Sequence, residues 1–580
     1  MIVLSLSHES HKGVTVLVCE FERERERETE ERIRRSRKKK MTIISRTSTR
    51  YDSFSSNEAS ETRELRTLAG ALIASLALLL LLCWLSQRYS IWLWKRRPQL
   101  PPGPPAWPLI GNLHLLGKLP HRSLHRLAKK YGSIMYLRLG LVPVVVVSNA
   151  EMAREFLHTH DKNFASRPRM NAVDALAYGQ LTVSFSPYNH YFQQMKKILN
   201  VHLLSVKRLA ESKYVRSEEV SLLLQSILED HLHNREVNLL DKVCTMSNNI
   251  ISRLLIDRRI FNVDDNGKEA ERFKRMADRI SAYLGAVNIG DYLPFLVCLD
   301  LQGYDAKMKN LHIEMDAFLK KVIAIYGEET GDSQGTRPTD VLDVLLSLAS
   351  EHSKTNQQLL NDRSIKATIL NIFIAGTRTS TNTVHWAMSE ILKNPSILDK
   401  ARQELNKEIG NERKAEESDI AKLTYLQAIV KETFRLHPPT PLLLPHESMQ
   451  DCKIAGYDIP KKTRLLVNTW AVGRDPSVWE RPLEFDPERF IRSNHIDVRG
   501  QHFELLPFGS GRRSCPGMSM GLTVVQSTLA SLIHSFDWDL PAGQRAEEID
   551  MRENPGMGLS KASPLLAIAK PRLHSSLYTH

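Results

Sequence analysis

A single cysteine in a glycine-rich loop near the C-terminus constrains the fold of this chain more than any other feature. The loop runs from Phe508 to Gly517, contains Cys515, and is followed by an apolar run of helical period from Leu522 to Phe536. Glycine lets the backbone approach a flat ligand and direct amide N–H groups at the sulfur, and the N-terminus of the following helix favours a thiolate. The loop therefore predicts a thiolate ligand beside a planar group, whereas an isolated loop cysteine is more often an inert thiol.

The other cysteines indicate neither a disulfide framework nor a zinc site, because they lie far apart and form no Cys-x-x-Cys pair. A reducing compartment fits this usage. The chain carries 79 Lys and Arg against 66 Asp and Glu, but much of the excess lies in one early tract and beside an apolar segment, which argues against nucleic-acid binding. The cysteines are Cys19, Cys83, Cys244, Cys298, Cys452 and Cys515.

A charged tract and an apolar segment precede the main body of the chain. Residues 1–67 include a run in which Glu and Arg alternate, and such a tract either forms a solvated helix or stays disordered. Residues 68–85 contain no charge and, at about 1.5 Å per residue, are long enough to cross a thin bilayer, so they predict a transmembrane anchor. A cleaved signal peptide is disfavoured because the apolar run lies far from Met1.

The anchor is followed by a flank and a hinge over residues 86–105. The flank combines interfacial aromatics with a basic cluster, which predicts its position on the cytosolic side. The prolines between Pro101 and Pro105 fix the backbone and form a stiff connection to the body. The flank contains Tyr89, Trp92, Trp94, Lys95, Arg96 and Arg97.

Residues 106–580 read as one large, mostly helical domain. Long stretches have helical period, while runs of β type are few and short. We expect helices over 203–232, 362–392 and 397–409, and strands over 134–139, 142–147 and 465–468.

The cysteine loop matches the pattern F-x-x-G-x-R-x-C-x-G through Phe508, Gly511, Arg513, Cys515 and Gly517. In this pattern the chain resembles the cytochrome P450 family, of which it is the haem-thiolate signature. The resemblance implies that Cys515 is the axial ligand of the haem iron and that the other four residues bind the cofactor. A thiolate in this position directs electron density towards cleavage of the O–O bond.

Two further motifs carry the same resemblance. Glu432 and Arg435 fit the family's E-x-x-R motif, and Arg489 lies in the P-E-R-F sequence upstream of the cysteine loop. The resemblance implies that these three residues form a structural core triad, although Glu432 and Arg435 alone would read as an ordinary solvated i,i+3 pair.

The third motif lies within the long stretch that begins near Asp362. Small side chains at Ala375 and Gly376 leave room for dioxygen and substrate beside a helix, and a Thr379 hydroxyl bonded to a backbone carbonyl opens the helix to water. By resemblance to A-G-x-D/E-T-T/S, these three residues form the catalytic set, and Thr379 helps deliver protons to the bound oxygen.

The chain departs from the family pattern at two places. Arg378 stands where the family typically has an acid, and its guanidinium cannot relay a proton by titrating. Phe192 stands where the family usually has a Trp that donates to a haem propionate, and Phe offers no donor. Cofactor binding then depends on Lys196, on His446 and on Arg513.

The resemblance implies a mainly α fold with a small β-rich region, haem b, and a catalytic domain on the cytosolic side of the endoplasmic reticulum membrane, held by one anchor in membrane lipid. It also implies oxidation of a small hydrophobic molecule by O₂. The chain contains no dinucleotide or flavin motif, so electrons come from a separate protein, which we expect to be NADPH-cytochrome P450 reductase. Arg512 is a candidate contact for that partner's acidic face.

The substrate is expected to lie in an apolar pocket. The stretches 288–294 and 445–448 resemble plant members that hydroxylate flavonoids and other phenolics, whereas 175–209 and 567–578 resemble in-chain fatty-acid hydroxylases. Pairing of Arg378 with a substrate carboxylate would favour the fatty acid. A membrane-anchored haem protein without monooxygenase activity is a further alternative, as is a rearrangement enzyme. The predicted pocket residues are Val173, Leu176, Phe373, Ile374, Leu442, Leu443 and Met557.

Overall fold

The computed structural model describes residues 41, 70, 73–85, 98–261, 268–327, 341–354, 360–493 and 495–578. Residues 96–580 form one compact unit and residues 1–95 another. Most of the predicted charged extension, part of the predicted anchor and residues 86–97 lie outside the described residues. The described part of the chain includes helical residues 73–85, and none of its helices combines the length and the hydropathy that a bilayer crossing requires.

Helices dominate the larger unit. The α-helices are α1 (Pro120–Tyr131), α2 (Ala150–Arg154), α3 (Asn171–Leu176), α4 (His190–His202), α5 (Val206–Glu211), α6 (Lys213–Leu232), α7 (Leu239–Ile256), α8 (Lys268–Gly285), α9 (Tyr304–Gly327), α10 (Val341–Lys354), α11 (Asp362–Lys393), α12 (Pro395–Glu408), α13 (Thr424–Leu436), α14 (Thr469–Val472), α15 (Glu488–Arg492) and α16 (Met518–Ser535). Short 3₁₀ turns cover Leu113–Leu115, Ile289–Asp291, Pro294–Leu299, Glu417–Lys422, Gly511–Arg513, Ala546–Glu548 and Ser575–Leu577, and a π turn covers Glu155–Thr159.

The strands form small sheets. They are β1 (Ile134–Leu139), β2 (Val142–Val147), β3 (Val237–Asn238), β4 (His446–Glu447), β5 (Cys452–Ile454), β6 (Tyr457–Ile459), β7 (Arg464–Val467), β8 (Phe536–Asp539), β9 (Glu553–Asn554), β10 (Ser560–Lys561) and β11 (Leu566–Pro571). The largest sheet has the order β1-β2-β7-β4, in which β1 is antiparallel and β7 parallel to β2. The smaller sheets pair β3-β11-β8, β9 with β10, and β5 with β6.

The predicted mainly helical fold with small sheets is confirmed. The expected strands over 134–139 and 142–147 are β1 and β2, and the strand expected over 465–468 is β7, which begins and ends one residue earlier. The expected helix over 203–232 is divided into α5 and α6 at Ser212, whose hydroxyl donates to the carbonyls of Arg208 and Leu209. This local hydrogen bonding competes with a continuous helix.

Helix α11 runs through the centre and packs against α7, α13 and α16. It begins at a capping box in which the Asn361 side chain accepts from the Ser364 N–H and the Ser364 hydroxyl accepts from the Asn361 N–H. This exchange satisfies donors that a helix N-terminus otherwise leaves free. From Thr377 to Leu392 most of its side chains are buried.

Candidate active site

The cysteine loop approaches the N-terminus of α16 in a defined backbone conformation. Gly511 has φ +66°, and a Cβ there would lie 2.5 Å from the carbonyl oxygen of Leu157, so only glycine fits. The Cys515 N–H donates to the Phe508 carbonyl at 2.9 Å, and the Gly517 N–H donates to the Cys515 sulfur. The sulfur is therefore held by the backbone of its own loop, as the sequence predicted.

Two influences act on the thiol of Cys515. The residue is accessible to solvent, yet many protein atoms surround the sulfur, and this burial raises the pKa of the thiol. The Gly517 N–H and the positive charge of Lys196 act in the opposite direction. Both favour the thiolate, which is the form that binds a metal.

One stretch of α11 is exposed although the helix is otherwise largely buried. Ala375 and Thr379, one turn apart on the same face, are both exposed, and the Thr379 hydroxyl donates to the Ala375 carbonyl at 2.7 Å. A Cβ on Gly521 of α16 would lie 3.9 Å from both Phe508 Cε1 and the hydroxyl of Ser380. The cysteine loop and this part of α11 are therefore neighbours.

Gly376 has a packing role beside this face. A Cβ at Gly376 would lie 2.7 Å from Cδ1 of Ile251 on α7. The missing side chain thus lets α7 approach α11 closely, in addition to the space for dioxygen that the sequence predicted.

Arg513 extends from the cysteine loop into a shell of backbone carbonyls. Its guanidinium donates to Ala165 at 2.5 Å, to Val183 at 3.3 Å and to Ser186 at 2.5 Å. It also lies over the ring of Phe192, with 3.6 Å from the guanidinium carbon to the ring centroid. Burial lowers the pKa of Arg513 to about 10, which still leaves it charged at neutral pH.

A second arginine, which is buried, lies beside His446. Arg167 is nearly inaccessible and donates to the carbonyls of Leu444 at 2.7 Å and Pro445 at 2.9 Å. His446 is also buried, and its Nδ1 lies 2.7 Å from the Phe164 carbonyl, which makes Nδ1 the protonated nitrogen. Burial and then the charge of Arg167 lower the pKa of His446 well below 6.5, so the ring is neutral.

Lys196 connects α4 to the cysteine loop. Its ammonium donates to the carbonyl of Arg512 at 2.7 Å and to that of Ser514 at 3.4 Å. Burial and then the charge of Arg513 lower the pKa of Lys196, and the neighbouring Cys515 acts in the opposite direction.

These cations fit an anionic cofactor. Among the described residues, no carboxylate lies within ion-pair distance of Arg167 or Arg513. Removing a charge from water without a counter-charge is costly, so these guanidinium groups suit an anionic ligand. The buried hydroxyls of Thr182 and Ser186 have no hydrogen-bond partner within the described residues. A cysteine loop beside an exposed stripe of small residues, with buried cations nearby, suits a planar group that carries carboxylates, as haem does.

The predicted core triad is present. Arg435 donates to both carboxylate oxygens of Glu432 at 2.7 Å, and Arg489 donates to the same carboxylate at 3.1 Å. The Glu432 and Arg435 side chains are completely buried. Arg435 also donates to the backbone carbonyls of Gly473, Pro482 and Glu484, so the triad joins α13 to the segment before α15.

The family model for cytochrome P450 matches residues 101–567 of this sequence. The chain belongs to the cytochrome P450 family. It is a haem-thiolate monooxygenase, as the cysteine-loop pattern predicted, and the expected enzymatic class is confirmed.

Curated plant proteins are similar to this cytochrome P450 over nearly their whole length. It is 44% identical over 491 residues to a flavonoid 3′-monooxygenase from Petunia hybrida, which covers 83% of this chain and 94% of that protein. It is 42% identical over 508 residues to a 3,9-dihydroxypterocarpan 6A-monooxygenase from Glycine max, covering 85% of this chain and 98% of that protein.

A solved structure has the same fold. The zebra fish cytochrome P450 with abiraterone superposes with a TM-score of 0.66 at 24% identity, over 79% of this chain and 100% of that one. At this identity the likeness concerns the fold alone.

The predicted pocket residues fall into two groups. Val173, Leu176 and Phe373 are completely or almost completely buried in the core, where the Phe373 ring packs with those of Phe273 and Phe318. The side chains that are partly accessible are Ile374, Leu442, Leu443 and Met557.

The two departures from the family have structural partners. Arg378 forms an ion pair with Asp278 of α8, so its guanidinium is already paired with a carboxylate of the chain itself. Phe192 does not replace the missing donor but supports the Arg513 guanidinium with its ring. Arg512 is half exposed and lies 3.3 Å from the Asp161 carboxylate.

Arg167 and Asp278 were missed by sequence reasoning. Arg167 lies 277 residues before Leu444, to which it donates, and no local pattern distinguishes it from a loop arginine. Asp278 lies 100 residues before Arg378 on a helix rich in charge. The absence of the family acid at position 378 was the one available signal for a compensating carboxylate elsewhere.

Proposed function

We propose that this cytochrome P450 hydroxylates a flavonoid or a related plant phenolic. The main support for this proposal is the 44% identity to a flavonoid 3′-monooxygenase along most of both chains. The predicted pocket residues with accessible side chains are apolar, as suits an aromatic substrate. Pairing of Arg378 with a fatty-acid carboxylate is disfavoured, because Asp278 already pairs with Arg378.

Haem b is the proposed cofactor, and the Cys515 thiolate would hold its iron. Arg167, Arg513 and Lys196 would hold its propionates, and the neutral His446 would place a ring nitrogen near them. When bound, haem supplies the oxidising power that inserts one atom of O₂ into a C–H bond. Phe508 and the loop glycines, including Gly511 and Gly517, set the approach of the backbone to the sulfur.

The exposed face of α11 controls water and protons near the reacting carbon. Ala375 and Gly376 leave space for dioxygen and substrate. The Thr379 hydroxyl, bonded to the Ala375 carbonyl at 2.7 Å, can turn to hold a water molecule or pass on a proton. Ile374, Leu442, Leu443 and Met557 exclude bulk water from the reaction.

NADPH-cytochrome P450 reductase is the proposed electron donor. Arg512 supports this proposal because its side chain, in the Cys515 loop, stays half exposed while it lies 3.3 Å from the Asp161 carboxylate. An acidic docking face would be steered towards this guanidinium.

We propose a single N-terminal anchor over residues 68–85, a flank and hinge over 86–105, and a catalytic domain over 106–580 on the cytosolic side of the endoplasmic reticulum. Four exposed apolar side chains support contact with membrane lipid. The Leu141 N–H donates to the carbonyl of Tyr292, and this bond links the loop of Leu141 to the segment that precedes the other three. The four side chains are Leu141, Phe295, Leu299 and Leu301.

An optical titration of the detergent-solubilised holoenzyme tests the proposed substrate class. Flavonoids, simple phenolics, terpenes and medium-chain fatty acids are compared for a saturable shift of the Soret band, which reports displacement of water from the iron. A saturable shift with flavonoids is expected. A shift with fatty acids alone would contradict the proposal.

A further inference from the structure

Arg378 lies at the position where the family's motif usually carries an acid, and its side chain is mostly buried. It forms an ion pair with Asp278 of α8, whose side chain is 45% exposed. Because a guanidinium keeps its proton, Arg378 cannot carry protons from solvent. Asp278 carries a carboxylate that is in contact with both solvent and Arg378.

Unpartnered polar atoms lie near this ion pair. Nη1 of Arg378 and Oδ1 of Asn382 are buried, and neither has a hydrogen-bond partner among the described residues. Asn382 is one turn after Arg378 on the same face of α11 and three residues after Thr379. A donor and an acceptor of this kind, in a buried seam, match the requirements of an ordered water molecule.

This seam, which contains Arg378, Asp278 and Asn382, continues to α7. Oδ1 of Asn248 is also buried without a partner, and Nδ2 of the same residue lies 3.6 Å from the Cys244 sulfur. Arg378 and Lys274 are close enough to Cys244 to act on its thiol electrostatically. The seam is thus polar on α7, α8 and α11, although apolar clusters surround it.

We infer that Asp278 replaces the missing acid, and that it feeds protons through water held by Arg378 and Asn382 to the hydroxyl of Thr379. The inference rests on the proposed function of α11 in proton control. Each transfer moves one proton from solvent to the Asp278 carboxylate, then to water and on to Thr379, whose own proton goes to the reacting oxygen. Asp278 is refilled from solvent, and Arg378 positions the carboxylate and the water without changing its own protonation.

Asp278→Asn tests the inference in the holoenzyme. The carboxamide oxygen still accepts from Arg378, so haem content, the ferric spectrum and the unfolding midpoint should match the wild type. The fraction of NADPH electrons recovered in product should fall about tenfold, with hydrogen peroxide as the balance. Asp278→Glu, which keeps a carboxylate, should retain coupling. An Asp278→Asn variant with wild-type coupling would overturn the inference.

Glu271→Gln is the matched control, because Glu271 is an exposed carboxylate on the same helix that pairs with Arg275 rather than Arg378. It should leave coupling unchanged, and an equal loss in both variants would contradict a specific role for Asp278. Asn382→Leu leaves the ion pair intact and should also lower coupling. If Asp278→Asn fails to fold, Asn382→Leu provides the test. Normal coupling in Asn382→Leu would then overturn the proposed route.

A structural readout separates this route from a merely stabilising ion pair. A high-resolution crystal structure of the holoenzyme should contain ordered water at about 2.7–3.2 Å from Nη1 of Arg378 and Oδ1 of Asn382. A dry seam would overturn the inference. Coupling is measured with whichever compound class shifts the Soret band of the wild type, so an error in the flavonoid assignment would show in the wild type and not as a difference between variants.

Discussion

At the scale of single residues, Phe192 shows how an apparent loss is compensated. A phenylalanine cannot donate to a propionate, but its ring lies 3.6 Å from the Arg513 guanidinium carbon and holds that group among three carbonyls. A cation over an aromatic face in a desolvated site contributes up to about 2 kcal/mol. The side chain would therefore act on the proposed haem through Arg513.

Replacement of Phe192 by Leu should weaken haem retention. Leucine keeps most of the apolar volume but removes the aromatic face, so haem should leave up to about thirty times faster, the equivalent of about 2 kcal/mol. The rate of haem transfer to excess apomyoglobin measures this. Phe192→Tyr keeps the ring and is the control, and equal rates in both variants would show that the ring face is unimportant.

The residues that the sequence predicted share one property, which is that their motif is contiguous. Glu432 and Arg435 are neighbours on one helix turn, and Cys515 and Gly517 lie in one loop. Arg167 could not be predicted, because only the folded chain brings it to the carbonyl of Leu444. Asp278 could be identified only from the folded chain, together with the unusual arginine at position 378 on another helix.

At the scale of elements, α11 was predictable from the sequence, and the packing of the hairpin formed by β9 and β10 was not. The long apolar period gave the helix almost its full length, whereas β9 and β10 are only two residues each and carry no periodic signal. The turn between these strands packs its backbone against α8, where the Met557 N–H donates to the Ser281 carbonyl at 3.0 Å. Gly285 allows this approach.

Gly285→Ala should displace the turn that carries Met557. A Cβ at Gly285 would lie 2.2 Å from backbone atoms of Gly556 and Met557, so the hairpin must move. We expect the free energy of unfolding to fall by about 1–3 kcal/mol and the affinity in the optical titration to change. Gly521→Ala is the control, since its nearest neighbours would be 3.9 Å away, and equal effects in both variants would refute the proposed contact.

A separate contact, between α11 and the segment that follows the hairpin, is made sensitive to acid by His385. Its Nε2 accepts from the Leu565 N–H at 2.9 Å, and burial followed by the charge of Lys561 lowers the pKa of His385 to about 3. Between pH 6.5 and 3 the unfolded chain binds a proton that the native protein does not. The free energy of unfolding should therefore fall as the pH falls, by about 1.4 kcal/mol per unit from this residue.

His385→Gln isolates this contribution, because its carboxamide keeps an acceptor for the Leu565 N–H and does not titrate. Denaturant unfolding at several values between pH 6.5 and 4.5 should give a shallower pH dependence for the variant than for the wild type. Parallel curves would show that His385 is not held neutral in the native protein.

At the scale of the whole molecule, the site is assembled from parts of the chain that are distant in sequence. The cysteine loop supplies the sulfur, and α11 supplies the small-residue face. The loop that carries Arg167 supplies buried positive charge, and strand β4 supplies the neutral ring of His446. The family pattern in the sequence predicted the helical fold and the cysteine because both leave local signals. The ion pairs and the cation shell depend on tertiary packing, which a single sequence does not display.

The most direct test is turnover of a flavonoid in the presence of oxygen gas enriched in the heavy isotope. The full-length holoenzyme is combined with NADPH-cytochrome P450 reductase and NADPH, and the product is analysed by mass spectrometry. We expect a hydroxylated flavonoid that carries one labelled oxygen atom, with no product from Cys515→Ser. An unlabelled product, or labelled product from Cys515→Ser, would contradict oxygen insertion at a haem bound by Cys515.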